Sequence, residues 1–363
     1  MNRGPLRVPD VLARQSCKGS VQFSKSTVRM PAGPDQGHLS PARAAVPYDW
    51  RAAEKELNKH PQFRTRIDGV DIHFVEVRGE AAERRPLLLL HGWPGSHFEF
   101  WKVADRLAHP SQYGGSAADA FDLIIPSLPG YGFSGRVSRP VGPRTSAGLL
   151  NRLMVEGLGH AEYMVHGGDQ GAIIASFLGA FHGEHCRAMH VNLIGWRPVL
   201  DDDGAVGEEE HAIMQGQLLA ELPDMAYAIQ HWTKPQTLAM GLVDSPVGTA
   251  AWMIDKFHDW SDLRHSTFDE VHDRDALLTS VMIYIINGTI GSSLWSYPAL
   301  LDERVSLADR PFCATPTALA HFPVEVVGFT HRALGSSGST TSSGGRRSTE
   351  AATSRPSSDR SNS

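Results

Sequence analysis

Gly167-Gly168-Asp169-Gln170-Gly171 is the stretch on which the reading of this chain turns. It follows a short apolar run, Tyr163–His166, that reads as a buried strand. It opens Gly171–His182, whose apolar spacing is helical. A strand that passes into a helix within five residues must bend sharply at the residue between. Small neighbours are needed there because the backbone is strained and the helix approaches closely. A side chain at such a bend stands exposed at the end of the sheet, where a nucleophile is useful. The same five residues would also suit a glycine-rich loop whose aspartate caps the next helix.

Working outward, the alternation continues on both sides. Strands are expected at Phe63–Ile67, Val70–Val77, Pro86–Leu90, Phe121–Pro126, Tyr163–His166 and Ala188–Leu193. The first two flank Asp68-Gly69, which supplies the positive φ of a hairpin turn. Helices are expected at Asp49–Leu57, Gly95–Leu107, Thr145–Leu158 and Gly171–His182. Strands and helices alternating at this interval indicate crossover units and a mostly parallel sheet. From Trp196 to about Leu300 the strand signal gives way to helical patterns, including Glu208–Glu221, Val247–Trp260 and Ala276–Asn287. A helical block inserted between strands predicts a cap over the sheet's carboxyl edge, where pockets form. Thr315–Phe322 reads as the return to the sheet.

The expected division is therefore an irregular or disordered segment at 1–47, the first part of an α/β core at 48–195, and a helical cap at 196–300. The core resumes at 301–330, before a disordered tail at 331–363 rich in Ser, Gly, Thr and Arg. No internal repeat is found.

A second turn supports the first. His91-Gly92-Trp93-Pro94-Gly95 follows the Pro86–Leu90 strand. A glycine-rich turn there lets the Trp93 N–H point at developing negative charge, with the Gln170 N–H as second donor. His91, Gly92 and Pro94 are read as lining the substrate pocket, His91 as a structural or lining residue rather than a proton carrier.

These two turns resemble motifs of the epoxide hydrolase family, particularly its microsomal-type members, within the α/β-hydrolase superfamily. Ser127-Leu128-Pro129-Gly130-Tyr131-Gly132-Phe133-Ser134 resembles a third motif of that family. Thr233-Lys234-Pro235-Gln236-Thr237, Asp244-Ser245-Pro246-Val247-Gly248 and Asn287-Gly288-Thr289-Ile290-Gly291-Ser292-Ser293 are similar to its cap segments. Tyr48–Gly69 resembles the end of its N-terminal segment, so that the likeness covers roughly residues 48–327. The fold implied is an α/β-hydrolase core with an inserted helical cap.

The resemblance implies opening of epoxides to vicinal diols. An aspartate is ionised near pH 7 and attacks an epoxide carbon without a general base, giving an alkyl ester of Asp169. The departing alkoxide needs an acid, and a phenol of pKa near ~10 is suitable. Aligned on the cap motifs, those phenols are Tyr227 and Tyr297. Glu325, in Phe322-Pro323-Val324-Glu325, matches the family's acid that orients a histidine, and the histidine activates water against the ester. That histidine normally stands in a Gly-Gly-His-Phe context after one further strand and before a final helix. No such motif is present; after Val327 the chain reads Gly328-Phe329-Thr330-His331-Arg332 and enters the polar tail. A last strand and helix are thus expected to be missing, leaving an open sheet edge, and turnover is expected to be impaired. The competing readings are a ligand-binding relic of the same fold and a haloalkane-type dehalogenase.

Bulk properties agree with these readings. The 363 residues carry a net charge of -6, which gives no electrostatic reason to bind nucleic acid or an acidic membrane. Cys17, Cys186 and Cys313 are scattered, without metal-ligand spacing. No apolar stretch approaches the roughly 18 residues of a membrane span, and no secretory leader is read. The expectation is a cytoplasmic enzyme taking a small apolar epoxide, with no metal or organic cofactor and homo-oligomerisation left open.

Overall fold

The computed structural model describes residues 48–193, 225–303, 313–320 and 322. Asp49 starts the first helix, Trp50–Leu57, by accepting hydrogen bonds from Arg51 N and Ala52 N. Strands β1 (Gln62–Ile67) and β2 (Val70–Val77) then form a hairpin closed by the Ile67–Val70 pair. Asp68 and Gly69 both take positive φ, 48° and 78°, as the tight hairpin turn requires.

The remaining strands are β3 (Pro86–Leu90), β4 (Asp122–Pro126), β5 (Tyr163–Gly167), β6 (Cys186–Val191) and β7 (Thr317–Leu319). Together they make a seven-stranded sheet in the order β1-β2-β4-β3-β5-β6-β7. The β1–β2 and β2–β4 pairs are antiparallel, and every pair from β4 through β7 is parallel. Leu87–Leu90 and Leu123–Ile125 are continuous apolar runs because the sheet is covered on both faces. On one face Leu88, Leu90, Val165 and Val191 pack with Ile174 and Leu178 of the helix Gln170–Phe181. On the other, Leu89, Leu123 and Ile125 pack with Trp101 and Ala104 of the helix Trp101–Ala108.

The order fixes where a site can form. From β3 the chain moves to β4 on one side and returns to β5 on the other. The carboxyl ends of β3 and β5 therefore flank the switch point, where connections diverge and leave a crevice. His91–Gly95 leaves one of those ends and Gly168-Asp169-Gln170 the other.

Two helices differ from the sequence reading. The helix expected over Gly95–Leu107 becomes a one-turn 3₁₀ segment, His97–Phe100, followed by Trp101–Ala108. Ser96 stays extended and its hydroxyl accepts from Phe98 N, so the chain first completes the loop and only then coils. The helix expected over Thr145–Leu158 is α-helical at Pro143–Arg152 and widens to a π-turn at Leu153–Gly157.

The described part of the cap is built from helices and their short connections: 225–233, Pro235–Asp244, Pro246–Asp259, Phe268–Val271, Arg274–Asn287, Ile290–Ser293 and Ser296–Asp302. Pro235 and Pro246 each open a new helix, since proline fits the first turn but ends a helix already running. Among the described residues no single helix is long and apolar enough to cross a membrane. The readings of 1–47, of the Glu208–Glu221 helix, of Glu325 and His331, and of a missing last strand, missing last helix and disordered tail lie outside the described residues.

Candidate active site

Asp169 stands at the bend with φ 49° and ψ -126°, in the left-handed region that favours glycine. Holding a branched side chain there costs of order 1–3 kcal/mol, and the surroundings impose it. A Cβ on Gly167 would come 2.2 Å from Gly171 O, and one on Gly171 2.1 Å from Leu90 O. Both glycines are therefore required for the helix to start against β3 and β5. Asp169 Oδ1 accepts from Trp93 N at 2.9 Å and from Gln170 N at 2.5 Å. Gly92 completes the cradle, because a Cβ there would lie 2.2 Å from Asp169 Oδ1.

Tyr227 and Tyr297 face this carboxylate from the cap. Their rings meet edge to face at 6.0 Å, and the Trp93 indole stacks on Tyr227 at 5.4 Å and meets the edge of Tyr297 at 6.1 Å. Burial holds the Tyr227 hydroxyl protonated far above the ordinary tyrosine range, and the charge of Asp169 adds to that. Tyr297 is pushed the same way by burial, then by Tyr227, then by Asp169. The two phenols hydrogen-bond to each other. Two neutral acids thus stand within electrostatic reach of one carboxylate, in the absence of any group of three or more metal-ligating side chains among the described residues.

Comparison with known proteins bears on the family of the chain. The family profile "Epoxide hydrolase N terminus" matches residues 22–100, and that of the "alpha/beta hydrolase fold" matches 85–218. Epoxide hydrolase 1 of Oryctolagus cuniculus is 32% identical over 311 residues, covering 77% of this chain and 67% of the relative. The chain belongs to the epoxide hydrolase family. Juvenile hormone epoxide hydrolase 1 of Ctenocephalides felis is 32% identical over 303 residues, across 77% of this chain and 64% of the relative. A relative from Stigmatella aurantiaca is 34% identical over 251 residues, and the chain spans 57% of its length. Among solved structures, the juvenile hormone epoxide hydrolase of Bombyx mori superposes with a TM-score of 0.68 at 26% identity, covering 88% of this chain and 82% of that one. The Aspergillus niger epoxide hydrolase gives 0.66 at 25%, covering 89% and 84%. The match beginning at residue 22 extends the likeness ahead of Tyr48, where the sequence motifs first carry it.

One sequence-derived site residue needs correction. His91 does not line a pocket: it has no accessible surface. Its Nδ1–H donates to Gly92 O at 2.9 Å and its Nε2 accepts from Leu128 N at 3.1 Å. With both nitrogens used and burial pulling its pKa down to about 4, it is a neutral brace under the loop. Gly92 and Pro94 are buried in the same loop, with Gly92 against the carboxylate.

Three groups escaped the sequence reading. Glu99 is exposed, with its Oε1 1.2 Å from where a Cβ on Gly95 would lie. Its only signal is an acid placed inside the otherwise apolar His97-Phe98-Glu99-Phe100. His231, one helical turn after Tyr227, is fully buried, its ring 4.6 Å from that of Tyr297 and 4.7 Å from Trp93. Trp252 Nε1–H donates to its Nε2 at 3.1 Å, so Nδ1 carries the hydrogen. Lys256 places its ammonium 5.5 Å above the Tyr227 ring. Neither the histidine nor the lysine belongs to a motif, and only the cap's packing brings them here.

Proposed function

We propose that this chain opens small apolar epoxides by forming an ester on Asp169. The observation that carries the reading is a single carboxylate, fixed at a strained bend by two backbone donors and faced by two protonated phenols. Trp93 N–H and Gln170 N–H both hold Oδ1, and in this reading the carboxylate attacks the epoxide carbon through Oδ2. Attack breaks the ring C–O bond, and Tyr227 or Tyr297 protonates the departing oxygen. Oδ1 becomes the ester carbonyl oxygen, already in its donor pair. When water later adds to that carbon, the same two N–H groups meet the oxyanion without reorganising. An oxygen leaving group is what two neutral phenols suit.

Incubation with styrene oxide followed by intact-mass measurement tests this. The chain should gain the mass of one epoxide, and Asp169→Asn should not. Absence of any adduct and any diol in the unsubstituted chain would contradict the assignment.

A further inference from the structure

His166 and His190 take no part in the ring-opening reading, yet the sheet sets them side by side. β5 and β6 run parallel, with His166 opposite His190 although 24 positions separate the two in the chain. Successive side chains of a strand point to opposite faces. Val165 and Val191 pack into the core with Ile174 and Leu178, so His166 and His190 project from the other face. The helix Trp101–Ala108 covers that face over β3 and β4, where Leu89 and Leu123 pack beneath it. Farther along the sheet the cover ends. The Phe100 ring meets the edge of His166 at 5.9 Å, and His166 is half-buried while His190 is exposed.

The two Nδ1 atoms lie 2.8 Å apart, with the ring centroids 4.9 Å apart and the planes inclined by 31°. His166 Nδ1 is also 3.2 Å from His190 O. A single hydrogen on His166 Nδ1 satisfies both contacts, which leaves His190 Nδ1 presenting its lone pair. Partial burial lowers both imidazoles from their ordinary value, and His166 is lowered further by His190, so both are neutral at pH 7. Two neutral imidazoles with adjoining nitrogens chelate a divalent transition ion. Their spacing selects which ion. At the roughly 2.0–2.1 Å of a metal–imidazole bond, nitrogens 2.8 Å apart subtend about 85° at the metal, whereas a tetrahedral ion needs them about 3.3 Å apart. A near-right angle suits the tetragonal coordination of Cu²⁺ and Ni²⁺, and Cu²⁺ ranks highest in affinity for such ligands.

We propose that His166 and His190 form a site that binds one Cu²⁺ through both Nδ1 atoms. The hydrogen of His166 moves to Nε2 by exchange with solvent, so both rings stay neutral. No third His, Cys, Asp or Glu joins the pair among the described residues, and water fills the remaining positions. The site depends on the folded register, because a slip of one residue along β6 would turn His190 to the other face. A bound ion pins β5, the strand that leads into the bend at Asp169, to its neighbour.

The test adds Cu²⁺ alone to the full chain near pH 7 and records electron paramagnetic resonance. One equivalent should give a tetragonal spectrum split by two imidazole nitrogens. The chain holds 18 histidines, so variants separate this pair from the rest. His166→Gln and His190→Gln should each lose the two-nitrogen signature. Each should also weaken binding of the first equivalent about 10²-fold, the order by which a second linked ligand raises affinity. His265→Ala, which removes an exposed histidine elsewhere, should match the unsubstituted chain in both readings. Unchanged affinity in His166→Gln or His190→Gln overturns the site, the copper then being held adventitiously by other histidines. The nitrogen count in the unsubstituted chain decides independently of whether the variants fold: a spectrum with one nitrogen or none also overturns it.

Discussion

At the scale of single residues, the site is made by what is left out. Gly92 can only be glycine while Asp169 holds its position, since a methyl group would sit 2.2 Å from Oδ1 and 2.4 Å from Cβ of that residue. Gly92→Ala should displace the carboxylate and break its bond from Trp93 N–H. Losing one preorganised donor of this type costs about 10²–10³ in rate. Ester formation, read by intact mass, should fall by at least that factor; an alanine variant alkylated at the normal rate would show that the Oδ1 cradle is dispensable. The phenols act on the departing epoxide oxygen. Tyr227→Phe and Tyr297→Phe should each slow ring opening, and the double variant should approach the full loss of acid catalysis, about 10²–10⁴-fold. Single variants as slow as the double one would mean that the hydrogen-bonded pair works as a unit.

At the scale of elements, core and cap are joined through helix ends. Glu303, just past the helix Ser296–Asp302, accepts from Gly142 N at 3.3 Å, Arg144 N at 2.9 Å and Thr145 N at 3.1 Å. It thereby caps the core helix Pro143–Arg152, whose own Gly142 offers no side chain for the purpose. Glu303→Ala should cost about 1 kcal/mol, or roughly 2–4 °C in melting temperature for a domain of 150–250 residues. Calorimetry checks it, and an unchanged midpoint would mean that water caps the helix as well. Such an end cap was not legible in the sequence, because the partners are some 160 positions apart. The parallel sheet, the hairpin at Asp68-Gly69 and the two loops at the switch point were legible, since each is a local matter of period and turn chemistry. Tyr227 and Tyr297 were found only through neighbouring motifs. His231 was not found, because burial decided by distant packing leaves little trace in local pattern; Glu99 was not found, because an exposed acid reads in sequence like any solvated charge. The helix starts at Gly95 and Thr145 were misplaced for a related reason: Ser96 and Glu303 set those boundaries through hydrogen bonds that periodicity does not report.

At the scale of the whole molecule, a carboxyl that keeps its proton must make stability depend on pH. In the folded chain Glu99 ionises near 8, whereas the ordinary carboxylate value is 4.5. Between those values the unfolded chain has already released this proton and the folded chain has not. The folded state then binds more protons, so stability falls as pH rises through the window. The contribution is complete below about pH 4.5 and is gone once pH passes about 8. His91, with its folded value lowered from 6.5 to about 4, acts in the opposite sense between those values and so overlaps the lower part of this window, where its charging opposes folding as pH falls. Glu99→Gln cannot titrate and should lose the decline between pH 5 and 8 while keeping the acid limb. Asp169→Asn removes the repulsion from the same pair and should shift the decline to lower pH instead of abolishing it. Melting curves of the three proteins at intervals across pH 4–9 separate these cases. If the unsubstituted chain and Glu99→Gln run parallel throughout, Glu99 does not keep its proton in the folded chain, and neither burial nor the charge of Asp169 raises it.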